Sequence, residues 1–448
     1  MKKDTLSSRR QLFSMTWPIF LEAALFSVIG SVDTLMLAGW SDHAVGAVGV
    51  VNQILALFQV ISNIITTGTG ILCAQYIGAG LGREKQQPLI LGALLVNSTL
   101  GLLFSLGAVF GADLLLGMMT VPAEQYDHAR AYMQIVGGGL LVQMVTLTFT
   151  VLIRSHGKTR ATMVFSLVMN LINLVLNYVL IYGKLGLPTL GTSGAAIATV
   201  VSKCCACVMA GWFLFRKVLP GLSLRPQWKA TRAAIGQVLA YGSPAAGEQI
   251  SYTLSKIVVM AMVTSLGAVA VDTWSYVNIV VSYVYLFSMA LGSGTSILVG
   301  WSVGRGDHEE ADRLCHFSLR CSFLIAMAVL GVLVLVREPL MDLFTNDPAI
   351  IALGGSVIIA NVVLEAGRSR NLVLVSALRA AGDVKFPLYI GLFSMWLFSV
   401  GFSWLLGIQL GFGLVGIWLG LGLDECFRAI GMQLRWKTGK WTTLAVRH

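Results

Sequence analysis

The stretch Trp17–Trp40, WPIFLEAALFSVIGSVDTLMLAGW, constrains this chain more than any other. It is long enough to cross a bilayer, since about 20 apolar residues rising 1.5 Å each span the hydrocarbon. Yet it carries two carboxylates, Glu22 and Asp33, eleven residues apart. That is about three helical turns, so both face the same way, roughly 16 Å apart in depth. An unpaired charge in lipid is costly, so an ionisable residue there marks a functional site. Pro18 and Gly30 add places where the helix can bend. The segment reads as a moving helix that binds a proton or another cation.

The rest of the chain is of the same kind. With 56% hydrophobic residues, 12% charged residues and a mean hydropathy of +0.79, it is an integral membrane protein. Soluble domains are nearer a quarter charged. The pattern predicts an all-α polytopic protein with twelve spans, approximately 12–38, 46–76, 88–112, 130–153, 162–182, 192–215, 235–264, 271–302, 314–336, 350–377, 386–407 and 413–434. The basic start MKKDTLSSRR runs into a full-length span without a small-residue cleavage site, so no cleaved leader is expected. The net charge of +10 comes from basic residues between apolar runs, which signals membrane orientation rather than nucleic-acid binding. Lys2, Lys3, Arg9, Arg10, Arg83, Lys85, Arg154, Lys158 and Arg160 fall on one side. So do the basic residues at 216–232, 305–313, 379–385 and 435–440, against Arg130, Lys184 and Arg337 on the other. Both termini are therefore expected in the cytoplasm, which requires an even number of spans. Cys204, Cys205 and Cys207 lack the His or second Cys pair of a metal site and read as small core residues. All six histidines, His448 included, fall in or near loops, which argues against a histidine proton relay.

The chain also repeats itself. At a shift of 226, Pro18, Glu22, Asn52 and Gly68 meet Pro244, Glu248, Asn278 and Gly294, and Gly78 and Gly80 meet Gly304 and Gly306. At 225, Arg154 and Gly157 meet Arg379 and Gly382; at 222, Gly191, Gly194 and Cys204 meet Gly413, Gly416 and Cys426. This predicts an N-terminal lobe over 1–215, a cytoplasmic linker over 216–234 and a C-terminal lobe over 235–448. Two halves of six spans share one orientation and relate by an axis along the membrane normal, as in transporters that rock two lobes around a cavity.

Four stretches then resemble the multidrug and toxic compound extrusion (MATE) transporters. They are WPIFLE…VDTLMLAGW, QYIGAGLGREK, NLINLVLNYVLIYG…LGTSGAAIAT and NLVLVSALRAAGDVKFP. The resemblance covers essentially the whole chain, and the first-span motif looks most similar to the bacterial DinF-like branch. It implies cation-coupled export of apolar, often cationic drugs through a cavity between lobes. The resemblance also implies that Asp33 is the coupling carboxylate of the N-terminal lobe, where proton and cationic drug compete for one anion. GAGLGREK lacks the GKS or GKT ending of a phosphate loop, so ATP-driven pumping is not expected.

Asn170, Asn173 and Asn177 recur at i, i+3 and i+7 and form one stripe on the fifth helix. Amides facing lipid are expensive, so the stripe faces the lobe interior. Sodium-binding relatives pair the first-span Asp with an Asn and an Asp in this stripe; here Asn173 matches the Asn and Asn177 replaces the acid, which weakens a sodium site. Thr199 is a further candidate. On the second helix Asn52, Gln59, Asn63 and Thr66 share a face, with Gln53 beside it and expected to reach the cavity. Glu22 and Met36 complete the candidate lining of this lobe.

In the C-terminal lobe, Glu248 mirrors Glu22, with Tyr252, Ser255 and Lys256 near its face, and Glu365 is followed at i+3 by Arg368, a spacing that permits neutralisation. Relatives with a sodium site here place carboxylates where this chain has Tyr252 and Arg368, so coupling is assigned to the N-terminal lobe. Glu248, Tyr252, Glu365 and Arg368 remain candidates for ion pairs or drug contacts. Asp272 is expected near a loop, and Asp424 and Glu425 are expected to pair with Arg428 or Lys203. Met36, Met144, Met260, Met262, Met289, Trp274, Tyr276, Tyr283 and Tyr285 offer soft and aromatic surface for varied cations.

The expected function is a drug:proton antiporter of the bacterial plasma membrane, with small organic cations and the lipid bilayer as partners, no cofactor and a monomeric state. Two other transport readings are a sodium-coupled exporter and a flippase for lipid-linked substrates, for which Lys203, Lys256, Arg368 and Arg370 would supply a cationic cavity. An enzyme is not expected, because no nucleophile–base set or metal cluster is present. A non-transporting scaffold would have no need of carboxylates at depth.

Overall fold

The computed structural model describes residues 2–119, 121–223 and 225–445, apart from the side chains of residues 2–7. His448 and the side chains of Lys2 and Lys3 thus lie outside the described residues. Every regular element among the described residues is helical, and the long ones fall into twelve successive rods. The first three are α1 (Lys2–Ala38), α2 (Asp42–Gly78) and α3 (Arg83–Phe110). The fourth, α4, is a pair, Ala123–Gly138 and Leu140–Ser155, bent by 45°. Next come α5 (Thr159–Tyr182), α6 (Gly191–Phe213), α7 (Trp228–Ser265), α8 (Ala268–Gly304), α9 (His308–Leu335) and α10 (Pro348–Ala380). α11 starts as Lys385–Ser394 and continues through π-helical turns to Gln409, and α12 is Gly413–Lys437.

Among the described residues nine rods are long and apolar enough to cross a membrane, or ten with α4 as one span. The two outside that count, α7 and α12, carry Glu248, Lys256, Asp424, Glu425 and Arg428. Helix starts follow local chemistry. The Asp307 carboxylate accepts from the Glu310 amide at 3.0 Å to open α9, and Asp347 accepts from Ala349 at 2.8 Å to open α10, with Pro348 as its first residue. α5 ends at Gly183, whose φ of 65° is the left-handed conformation that closes a helix.

The chain divides into two compact units. One, called the N unit below, comprises Leu21–Cys73 and Leu81–Ser243; the other, the C unit, comprises Met1–Phe20, Ala74–Gly80 and Pro244–His448. These borders differ from lobes divided at 216–234: that stretch lies inside the N unit, and α7 already begins at Trp228. The chain changes unit within α1 just after Pro18 and within α7 at Pro244. A proline inside a helix removes one backbone hydrogen bond, so both crossings fall at weakened turns.

The N unit has a core built on Leu37, Val51, Leu116, Met133 and Ile181. The C unit has two, one around Leu12, Leu291, Leu378 and Trp436, the other around Val259, Val277, Leu364 and Trp418. Within the C unit the ends of α2 and α8 approach through repeat-related glycines. A Cβ on Gly78 would strike the Trp301 backbone, and one on Gly304 would strike the Gln75 backbone. Gln75 also donates to the Ala380 carbonyl at 2.7 Å, tying α2 to the end of α10. Overpacking such a contact costs about 1–3 kcal/mol. Gly304→Val is therefore expected to lower the melting temperature of the detergent-purified protein by several degrees. Gly331→Ala, with nothing within 4 Å of the added atom, is expected to leave it unchanged.

Candidate functional site

In the N unit, α1, α2, α4, α5 and α6 enclose a cavity of about 570 Å³ lined by Glu22, Asp33, Asn52, Gln59, Asn170 and Asn173, with Thr199 and Lys203 from α6. The asparagine stripe meets the first-span aspartate as its helical period requires. Asn177 donates to Asp33 Oδ1 at 2.8 Å. The Asn173 amide, its nitrogen turned to the carboxylate, donates to Oδ2 at 3.0 Å and Oδ1 at 3.2 Å. Among the described residues no cationic group lies within 4.0 Å of Asp33. Amides alone hold this carboxylate.

Glu22 stands differently. Arg154 from α4 pairs with its Oε2 at 2.6 Å, and Ser166 from α5 donates to its Oε1 at 2.6 Å. The first-span carboxylates are thus one neutralised and one not. Lys203 was expected beside Asp424 and Glu425, but it lies in this N-unit cavity. Its Nζ donates to Gln143 Oε1 at 2.8 Å, while Gln143 Nε2 donates to Gln59 Oε1 at 3.4 Å. Among the described residues no carboxylate lies within ion-pair distance of Lys203. The cavity therefore carries four formal charges, Glu22, Asp33, Arg154 and Lys203, which sum to zero.

Two expected lining residues are elsewhere. Gln53 is exposed and does not line the cavity, whereas Asn52 does. One helical residue turns a side chain by about 100°, which carries Gln53 off the face. Met36 packs against the N-unit core, and its carbonyl accepts from the Tyr182 hydroxyl at 2.7 Å.

The C unit holds a second cavity, of about 520 Å³, lined by Glu248, Tyr252, Lys256, Arg368, Glu425 and Arg428 among others. Here the charges interlock. Arg379 pairs with Glu248 at 2.5 Å, Arg368 with Glu365 at 2.9 Å and with Glu425 at 3.7 Å. Arg428 pairs with Asp424 and Glu425, each at 2.9 Å, and reaches Glu248 at 4.0 Å. Ser394 and Ser399 donate to Asp424, and Asn371 donates to Glu425. Glu365 is fully buried behind Arg368 and is not a lining residue. Lys256 rests 5.4 Å from the Tyr252 ring and 5.5 Å from that of Trp274. Met289, Trp274 and Tyr285 line this cavity, whereas Met260, Met262 and Tyr276 pack against a core cluster and Met144 is buried. Tyr283 is exposed and lines no cavity described here. Asp272 is exposed near the start of α8.

The four basic residues expected to make one cationic cavity occupy three. Lys203 lines the N-unit cavity, Lys256 and Arg368 the larger C-unit cavity, and Arg370 a third lined by α9, α10 and α12. Among the described residues no group of three or more His, Cys, Asp or Glu side chains could hold a metal ion. Gln143 was not among the sequence candidates, and Lys203 was given partners in the wrong unit. The repeat contained a signal for both, since residue 143 answers to Arg368 at a shift of 225 and residue 203 to Glu425 at 222.

The profile of the MatE family matches residues 18–179 and again 244–405, two segments offset by the same 226 residues. The chain is 36% identical over 432 residues to a Bacillus subtilis protein described as "Uncharacterized transporter YisQ", covering 96% of this chain and 94% of that one. It is 24% identical over 449 residues to the "Probable multidrug resistance protein NorM" of Thermotoga maritima, covering 99% and 96%. Among solved structures, a MOP superfamily transporter from Pyrococcus furiosus superposes with a TM-score of 0.87 at 18% identity, over 98% of this chain and 96% of that one. The "Crystal structure of MATE in the bent conformation" does so with a TM-score of 0.87 at 19% identity, over 98% and 96%. With the family profile matched in both halves and a relative above 30% identity along nearly its full length, the chain belongs to the MatE family of multi-pass membrane transporters.

Proposed function

We propose that this chain is a proton-coupled antiporter that exports organic cations across the bacterial plasma membrane, with Asp33 as the coupling carboxylate and both termini in the cytoplasm. One observation carries the reading. Glu22, Glu248, Glu365, Asp424 and Glu425 all pair with arginines, whereas Asp33 is held by amides only. A carboxylate without a fixed counter-ion has room for one, and a proton and a cationic ligand are alternative occupants of that place. The multidrug-resistance name of the Thermotoga maritima relative agrees with an N-unit cavity that has a carboxylate and an aromatic wall from Phe26, Tyr132 and Phe165, suited to organic cations.

The unpaired ammonium of Lys203 strengthens the exchange. With Asp33 ionised the four cavity charges cancel; with Asp33 protonated they leave one positive charge. A cationic ligand then loses its anion and meets an uncompensated ammonium. Unit charges roughly 10 Å apart in an effective dielectric of about 20 interact by about 1.7 kcal/mol, a factor of more than ten in affinity. Protonation thus expels the ligand twice over, by displacement and by repulsion. The C-unit network, with every carboxylate paired, supports the assignment of coupling to the N unit.

In proteoliposomes an imposed proton gradient is expected to drive efflux of a cationic dye, and Asp33→Asn is expected to reduce it to the protein-free background while keeping the wild-type melting temperature. Efflux that follows a sodium gradient and survives the substitution would remove both the proton and Asp33 from the mechanism. A second measurement isolates the ammonium. Lys203→Gln is expected to tighten equilibrium binding of the same dye by about tenfold at acidic pH, where Asp33 carries a proton. Binding curves that coincide with wild type at low pH would show that Lys203 exerts no such repulsion.

A further inference from the structure

The third cavity, of about 370 Å³, lies within the C unit and is distinct from the one lined by the charge network. Its lining comes from α9, α10 and α12, and its charged or polar members are His316, Arg320, Arg370 and Gln433. No acidic residue lines it. Among the described residues neither arginine has a carboxylate within 4.0 Å. Arg370 instead lies over the Phe323 ring, its guanidinium carbon 4.2 Å from the centroid. His316 is turned to Asp312 at 3.2 Å, and that carboxylate also accepts from Trp436 Nε1 at 2.8 Å, so it is already engaged.

The depth of these arginines is unusual. Arg320 is twelve residues inside the start of α9, about 18 Å along it, and Arg370 is ten residues before the end of α10, about 15 Å. Those two helix ends pack together, since Ala311, Leu314 and Cys315 share a core cluster with Ala377, Leu378 and Ala380. Both residues are exposed, on helices that are long and apolar enough to cross a membrane. Beside them stand Leu319, Phe323 and Leu324, the last 65% exposed. An exposed cation on a membrane span without a protein counter-ion needs an anion from its surroundings.

We propose that this cavity binds the phosphodiester headgroup of an anionic phospholipid. Arg320 and Arg370 hold the phosphate oxygens, for which the forked guanidinium is suited. One acyl chain lies along Leu319 and Leu324. The Phe323 ring fixes the plane of Arg370 and so preorganises one of the two forks. Positive-inside orientation places this end of α9 and α10 at the cytoplasmic leaflet, where basic pockets between spans recruit anionic lipids. Such a lipid offsets one of the two positive charges and ties α9 to α10. The site is separate from the Asp33 cavity and rests on the proposed function only for the cytoplasmic orientation of the termini.

The test is a lipid titration of the delipidated protein in detergent, followed by thermal stability. Dioleoyl phosphatidylglycerol is expected to raise the wild-type melting temperature saturably, whereas dioleoyl phosphatidylcholine and inorganic phosphate are not. In R320Q/R370Q the apparent affinity for phosphatidylglycerol is expected to fall at least tenfold, with R320Q and R370Q each intermediate should the double variant not fold. Arg313→Gln, at a basic residue paired with Glu309 and Glu310 outside the cavity, is expected to titrate as wild type. Asp33→Asn is expected to do the same, which separates this proposal from the transport mechanism. Equal stabilisation by phosphatidylcholine, or an unchanged affinity in the glutamine variants, would overturn the site. Saturable stabilisation by inorganic phosphate would make it a free-anion site and overturn the lipid assignment.

Discussion

A charge inside a membrane span has to be neutralised, and both halves of this chain meet that demand with the same pair. Glu22 and Arg154 join α1 to α4; Glu248 and Arg379 join α7 to α10. The four residues are repeat mates at shifts of 226 and 225, so one ion pair has been kept in duplicate. Neither side chain of a pair is tolerable alone at that depth. Removing one partner of a buried pair typically costs about 3–5 kcal/mol, because it strands the other. The pair is thus better seen as a mutual permission than as a source of stability. It lets each lobe's first span carry a carboxylate, and it ties that span to its own bundle.

Around this shared pair the halves have diverged at three matched positions. In the N unit, Gln59, Gln143 and Lys203 form a chain of hydrogen bonds that ends on an ammonium. At the equivalent positions of the C unit stand Tyr285, Arg368 and Glu425. There Arg368 lies 5.1 Å from the Tyr285 ring and 3.7 Å from the Glu425 carboxylate. The geometry of contact is conserved while the sign of charge at the third position is inverted. The cavities are close in size, about 570 and 520 Å³, so charge rather than space separates their roles. One lobe has its carboxylates locked to arginines; the other keeps a carboxylate and an ammonium that do not meet.

The architecture was legible because it depends on local composition. Apolar runs of span length place all twelve rods, and the loop charges and repeat follow from residues read one by one. The polar stripe on α5 was legible for the same reason: period alone puts Asn170, Asn173 and Asn177 on one face, and two of the three reach Asp33. Partners supplied by other helices were not. Nothing within α6 shows that Lys203 faces Gln143 of α4 rather than Asp424 or Glu425. Arg368 and Arg370 were grouped as basic residues of one cationic cavity, yet two helical steps turn side chains by about 200°, and they enter different cavities. The unit borders were also hidden, because each lies inside one continuous helix that runs through Pro18 or Pro244.

Those two prolines connect the architecture to the chemistry. Each sits four residues before the carboxylate of its half, Glu22 or Glu248, and each lies where the chain passes from one compact unit to the other. The glutamate is therefore the first charged residue after a turn that lacks a backbone hydrogen bond. In α1 the segment beyond it, from Leu21 to Ala38, belongs to the N unit and is fixed there by Glu22 at one level and Asp33 at another. The Glu22 anchor has an arginine and holds in either protonation state of Asp33. The Asp33 anchor consists of amide donors that prefer the ionised carboxylate, so protonation would weaken that attachment while the one at Glu22 stays. A helix fastened permanently at one level and conditionally at the next, with a weak turn just before the permanent point, can convert the loss of one charge into a change of shape. In the proposed function Asp33 supplies the condition, and the Glu22–Arg154 pair supplies the fixed point against which it acts.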